Sequence, residues 1–389
     1  MQGQSFVTGV LKFTPFNRDF IFIRVVLKRC KLFRTPGCKL LSYFRPLLLN
    51  MPRSSPIINF FKAPGLVFHV LKNIRTQQKF IKENIDPLIN DATKLNDGSL
   101  DEAACKKLTS YYGLAVPAIL GEAFCALRGK KMSATERLAS TCQGATTGLF
   151  DDFFDKQNFT GDGLKQFIED PTQAKANNAS QQLFLQLYTT GLQNMPDQKL
   201  TLNYVSRVYQ AQVESKKQAV PGLGFEEIKA ITLLKGGVSL LLYRTAFAHP
   251  MDKAEEDMLQ QLGGLMQLCN DIFDVYDDCQ DGIFTLITTA KKIGEIRELF
   301  LQLMKEGYAA AYRSNYPPAN IKRFLDIISI GIFSRSLVCL DQLEANEKRS
   351  ENIFTPRSYQ RKDLICDMDT ARNKWKSLMY HIKTNKIAD

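Results

Sequence analysis

From Gln267 to Asp278 the chain reads Gln-Leu-Cys-Asn-Asp-Ile-Phe-Asp-Val-Tyr-Asp-Asp, and this stretch constrains the fold more than any other. As a helix it places Asn270, Asp274 and Asp278 at i, i+4 and i+8. Side chains four apart stack on one helix face, so these three form a single row of oxygens. Ile272, Phe273, Val275 and Tyr276 fill the other faces, which suits a helix surrounded by neighbours. Carboxylates inside an apolar helix are costly unless something positive offsets them. Hard divalent cations such as Mg²⁺ do so, since they take oxygen ligands and keep waters for a phosphate-bearing substrate.

A second row lies upstream in Phe150-Asp151-Asp152-Phe153-Phe154-Asp155, where Asp151 and Asp155 are again i and i+4. Either cluster alone could be a solvated helix face. The flanking aromatics argue against that here, because Phe150, Phe153 and Phe154 cannot all point into water without expense. Two such rows could face each other across a bundle and hold metal ions between them. A calcium-loop reading of the segment from Asp277 fails, because Cys279 and Thr288 stand where oxygen-rich ligands belong.

At 389 residues and 44% hydrophobic, the chain can bury a large core. Its net charge of +11 is uneven: residues 1–50 hold nine Lys/Arg against one acid, which is +8 and leaves +3 for the rest. The basic balance therefore belongs to the leader and does not argue for nucleic-acid binding by the folded body. The leader reads either as a targeting peptide, though poor in Ser and without a clear cleavage site, or as sequence upstream of a start at Met51. Association of this basic, apolar segment with a membrane surface is a third reading. No apolar run is read as reaching transmembrane length. The nine Cys form no CxxC pair, and Cys125, Cys142 and Cys339 sit in apolar helical stretches. That is the pattern of buried free thiols in a reducing, cytoplasmic compartment. The three His are too dispersed for a His-based metal centre.

The division expected is a basic extension over 1–75 and one all-α domain over 76–389. Apolar spacing of three and four predicts helices near 76–95, 101–128, 133–156, 172–194, 198–217, 225–248, 252–278, 283–313, 317–347 and 355–385. Ser133-Ala-Thr-Glu136 reads as a capping box, and Asp252-Lys-Ala-Glu255 as another. Lys235-Gly236-Gly237 falls inside a helix, where each glycine costs about 1 kcal/mol relative to Ala. Two readings stay open: close packing against another helix, or a break exposing backbone at a ligand, with Lys235 as phosphate partner. For Lys235 and Arg244 alike, the plain alternative is a surface or helix-end charge. His249, beside Pro250, reads as a capping or solvent-facing residue.

These motifs resemble those of the class I isoprenoid synthases. Asp151-Asp152-Phe153-Phe154-Asp155 matches the family's DDxxD motif at every fixed position. The second row is similar to two patterns in the family. Asn270, Asp274 and Asp278 fit the metal-binding triad of terpene cyclases, although the middle position there is usually Ser or Thr and the last Glu. Gln267-Leu268-x-Asn270-x-x-x-Asp274-Val275-x-Asp277-Asp278, with Gly282, also looks like the second motif of squalene and phytoene synthases. Lys235 precedes this motif much as a Lys does in chain-elongating prenyltransferases. Those enzymes carry an Arg pair after the first motif, whereas Lys156-Gln157-Asn158-Phe159 follows here. The Tyr-Cys-Arg usual ahead of that motif in phytoene synthases is replaced by Gly144-Ala-Thr-Thr-Gly148.

The resemblance covers residues 76–389 and implies an all-α, class I isoprenoid synthase-like bundle around a central cavity. It implies that Asp151, Asp152, Asp155, Asn270, Asp274 and Asp278 hold about three Mg²⁺ ions, with Mn²⁺ as a substitute. Lys235 and Arg244 would be the catalytic cations on the diphosphate, and Phe150, Phe154, Tyr243 and Phe273 would line the substrate pocket. Each of these aromatics also reads as an ordinary core residue. The implied substrate is a prenyl diphosphate, farnesyl or geranylgeranyl, ionised and then cyclised by a terpene synthase. Alternatives are head-to-head condensation of two prenyl diphosphates and a non-catalytic prenyl-diphosphate-binding protein. A homodimer is compatible with this reading.

Overall fold

The computed structural model describes residues 56–155 and 161–384; the side chains of 56–62, 154, 155 and 162 lie outside the described residues. Every regular element among them is helical, and none is a strand. In chain order these are α1 (Pro56–Asn84), α2 (Asp86–Lys94), α3 (Glu102–Leu127), α4 (Ala134–Asp155), α5 (Asp162–Glu169), α6 (Ala179–Gln193) and α7 (Gln198–Ser215). Then come α8 (Phe225–Arg244), α9 (Lys253–Phe273), α10 (Val275–Asp281), α11 (Ile293–Arg313), α12 (Pro318–Ile328), α13 (Ser334–Arg349) and α14 (Ala371–Thr384). The all-α expectation holds.

The boundaries hold less well. Helix α1 begins twenty residues before the expected start at 76, and its Ala63, Val70 and Ile74 are buried. Residues 1–55, the rest of the expected extension, lie outside the described residues. Helix α3 passes through Gly113 and Pro117 by two π turns, Lys107–Tyr112 and Val116–Gly121. By length and composition it could cross a membrane, which corrects the reading that no apolar run is long enough. Most of it is buried inside the fold, where its apolar side chains serve the core. The expected helix over 252–278 is two helices, parted at Asp274 (φ −96°, ψ 9°).

Caps explain several starts. Ser133 and Glu136 form the expected reciprocal box, Glu136 N donating to Ser133 Oγ at 3.1 Å and Ser133 N to Glu136 Oε2 at 2.9 Å. At Asp252 only half forms: its carboxylate accepts from Glu255 N, while the Glu255 carboxylate turns instead to Arg244. The core runs along α4, α6, α8, α9 and α11, with Leu149, Leu183, Leu241, Leu262 and Phe300 fully enclosed. The expected buried thiols Cys125, Cys142 and Cys339 are buried and free.

Helices α8 and α9 meet backbone to backbone, and glycine permits it. A Cβ on Gly236 would lie 2.1 Å from the Gly263 carbonyl oxygen, and one on Gly263 would lie 2.4 Å from that of Gly236. Helix α8 is continuous through Gly236 and Gly237. Of the two readings left open by the sequence, close packing is therefore the one the structure shows, and the helix has no break at the glycine pair.

Candidate active site

Helices α4, α6, α7, α8 and α9, with Leu120 of α3 and Ile168 of α5, line a cavity of about 150 Å³. Its wall is mainly apolar, with Leu192, Val205, Leu240 and Met266 among its members. Asp151, Lys235, Gln267 and Asn270 gather at its polar part, one from α4, one from α8 and two from α9. The α8–α9 glycine contact makes this possible, since it presses the helix bearing Lys235 against the helix bearing Asn270.

The first acidic row closes α4. Asp151 and Asp152 are both buried. Tyr112 donates its hydroxyl to Asp151 Oδ2 at 2.6 Å, and the Lys107 ammonium meets Asp152 Oδ1 at 2.7 Å. Both partners come from the π turn of α3. In a π turn, residues five apart share a face, so Lys107 and Tyr112 both reach the acidic row. An α-helical register would splay them. Burial raises the Asp151 carboxyl above the usual carboxylate range, and the nearby Lys235 charge pulls it back. The same burial, with Asp151 beside it, raises the Tyr112 phenol well above its ordinary value, so it remains a proton donor. Asp155 and Phe154 belong to the last turn of α4, and their side chains lie outside the described residues.

The second row keeps its register although its helix is interrupted. Asp274 N bonds to the Asn270 carbonyl at 3.0 Å and Asp278 N to the Asp274 carbonyl at 2.9 Å. Asn270, Asp274 and Asp278 are all buried. Burial raises the Asp278 carboxyl well above its normal range, and the charges of Asp271 and Asp274 raise it further. Asp271, which the sequence reading passed over, is also buried and is pushed up to about 6 by that burial. Gln267 Nε2 donates to it at 2.9 Å and Thr232 Oγ1 at 3.3 Å. A signal was available, since Asp271, Asp274 and Asp278 are i, i+3 and i+7 on one helix face. No sequence pattern pointed to Tyr112 or Lys107.

Lys235 links the two rows. Its charge lowers the carboxyls of Asp151, Asp271 and Asp278 alike. Among the described residues lining the cavity it is the one cation. Arg244, expected beside it, is not brought to the cavity. Its guanidinium is buried at the end of α8, with Nε 2.6 Å from Glu255 Oε1 and further bonds to the Phe247 and His249 carbonyls. Tyr316 completes the cluster by donating to Glu255 Oε2. The guanidinium is thus spent on a helix end and on the start of α9. Of the expected aromatics, Phe150 and Tyr243 line the cavity, and Tyr243 donates to Thr147 Oγ1 at 3.2 Å. Phe273, the last residue of α9, packs against the core instead.

The oxygen donors suit a hard divalent cation, and the mutual repulsion of Asp271, Asp274 and Asp278 is a charge excess that such a cation would offset. Among the described residues, no three acidic, His or Cys side chains are gathered closely enough to form a closed ligand set. Comparison with family models, curated proteins and solved structures finds no match to this chain.

Proposed function

We propose that the chain is a class I terpene synthase, ionising a prenyl diphosphate and rearranging the resulting cation inside this cavity. One observation carries this reading: Asp151 of the first buried row and Asn270 of the second line a mainly apolar cavity together with Lys235, whose charge also acts on Asp271 and Asp278 behind Asn270. Asp151, Asp274, Asp278 and Asn270 would hold Mg²⁺, with Asp152 and Asp155 as further candidates from the first row. Bound there, Mg²⁺ would act as a Lewis acid and neutralise charge on the departing diphosphate.

The chain's own residues do the rest. Lys235 binds a diphosphate oxygen by a charge-assisted hydrogen bond. Tyr112 and Lys107 fix the orientation of Asp151 and Asp152. The apolar wall excludes water from the allylic cation, and the rings of Phe150 and Tyr243 offer it their negative faces. Lys235, the one cation among the described residues lining the cavity, suits a single diphosphate, whereas head-to-head condensation must neutralise two.

The test is incubation with farnesyl and geranylgeranyl diphosphate plus Mg²⁺, with and without NADPH, followed by mass spectrometry of the extract. A product of unchanged carbon number supports the reading. A doubled, linear skeleton moves the protein to condensation, and bound but intact diphosphate makes it a non-catalytic binder.

A further inference from the structure

From Ala63 onward, helix α1 carries two contrasting faces. One runs Ala63, Val70, Ile74, Gln77 and Ile81, all buried. Ala63 packs with Leu378 and Ile382 of α14, and Gln77 donates to the Gly113 carbonyl at 3.0 Å and to Thr141 Oγ1 at 2.9 Å. These contacts fix the helix in one rotation, so its other face is held outward. That face reads Phe68, Lys72, Arg75, Lys79 and Lys82, spaced alternately by four and three, and all five are exposed. One acid answers the four cations: Glu83, whose carboxylate is 3.6 Å from the Lys79 ammonium in an exposed pair.

Near Phe68, α1 and α12 border an open groove lined by Gly65, Leu66, Phe68, His69, Lys72 and Arg323. Burial lowers the His69 pKa, and the charges of Arg323 and Lys72 lower it further, which places both cations near one ring. Glu122 is the one acid acting on that ring, and Arg137 holds it at 2.7 Å. Lys72 and Arg323 themselves meet no carboxylate among the described residues. Phe68 stands 55% exposed amid these charges. The charge of the whole chain divides at this helix. Residues 1–84 hold fifteen Lys/Arg and two acids, which is +13 of the +11 total and leaves −2 for residues 85–389. Residues 1–55 run into α1 from the end nearer Phe68, and they add Phe, Leu, Val and Ile to that charge.

We propose that the outer face of α1, with Arg323 of α12, docks on an anionic lipid surface, Phe68 entering the interface while Lys72, Arg75 and Arg323 meet the headgroups. Cations alone would suit a nucleic acid equally well. An exposed ring among them and a lead-in both basic and apolar suit a bilayer, whose headgroups take the cations while the interface takes the ring. No residue of this face lines the α4–α9 cavity, so the proposal stands apart from the diphosphate reading and needs no turnover.

The full chain is sedimented with vesicles of phosphatidylcholine, either alone or mixed equally with phosphatidylglycerol. Binding is expected to the mixed vesicles only, and should weaken as salt is raised. Each cation near such a surface contributes about fivefold, so Lys72→Glu combined with Arg323→Glu should weaken binding about 25-fold or more. Phe68→Ser should weaken it about tenfold while keeping the salt dependence. Lys199→Glu with Lys305→Glu, on α7 and α11, changes net charge equally and should bind nearly as the wild type does. Circular dichroism verifies each fold, and Lys72→Gln with Arg323→Gln replaces the reversed pair if that pair does not fold. No binding by the wild type, equal loss in both charge-reversed pairs, or no loss in the folded α1–α12 pair overturns the proposal. So does tighter binding to a DNA duplex than to mixed vesicles, or a dimer in ultracentrifugation that Phe68→Ser disperses.

Discussion

Replacing Gly236 with Ala tests the link between packing and site. The new Cβ would lie 2.1 Å from the Gly263 carbonyl oxygen and 2.6 Å from Gln267 Cβ, against 3.4–4 Å for ordinary contact. The nearest clash is with backbone on a helix that already carries glycine, so no rotamer change relieves it. Ala gains about 1 kcal/mol in helix propensity over Gly. Separating α8 from α9 costs more, since overpacking of a well-filled interface runs to about 1–3 kcal/mol and a backbone clash lies at the upper end. The expected net loss is about 2 kcal/mol. Activity should fall further, because parting the helices moves Lys235 away from Asn270, and misplacement by about 1 Å costs on the order of 100-fold. Urea unfolding followed by circular dichroism, with pyrophosphate release in parallel, reads both effects. Gly65, a helical residue with open space around its would-be Cβ, is the control: Gly65→Ala should gain roughly 0.4–1 kcal/mol. A Gly236→Ala variant as stable and active as the wild type would refute the reasoning.

Glu255→Ala leaves the buried Arg244 without its partner and should cost about 3–5 kcal/mol in urea unfolding, most of it recovered by combining Arg244→Met with Glu255→Leu. His381 is buried against Ser329 and its pKa is lowered to about 4 from 6.5. Because the unfolded chain binds this proton more readily, stability is full above pH 6.5 and falls by about 3 kcal/mol as pH drops toward 4. In His381→Gln this part of the pH dependence should vanish from a series of unfolding midpoints. Tyr112→Phe removes the donor to Asp151, a charged hydrogen bond worth about 1.5–3 kcal/mol, so pyrophosphate release should drop roughly 10- to 100-fold with the helical spectrum unchanged.

The sequence disclosed much of this arrangement, but unevenly. Periodicity located most helices because their buried faces repeat at three and four residues. It missed the start of α1, where Pro, Lys and Gly interrupt the apolar spacing. The interruption at Asp274 left no trace either, since the backbone bonds on both sides preserve the i, i+4 register. Asp151, Asp274 and Asp278 were legible because carboxylates among apolar and aromatic residues are anomalous, and Asn270 because it continues their row at i−4 from Asp274. Lys107 and Tyr112 were not, as only a π turn brings them to one face. Arg244 misled for a general reason: a charged residue ending an apolar helix looks the same whether a ligand or a distant Glu neutralises it.

The central claim is that both acidic rows and Lys235 act on one diphosphate. It is tested most directly by pyrophosphate release from farnesyl and geranylgeranyl diphosphate as Mg²⁺ is varied, in the full chain and in Asp151→Asn, Asp278→Asn and Lys235→Met. The account predicts release that requires Mg²⁺, is lost in each Asn variant, and shows a raised KM in Lys235→Met. Release without Mg²⁺, release that persists in both folded Asn variants, or none from the folded wild type with either substrate would contradict it.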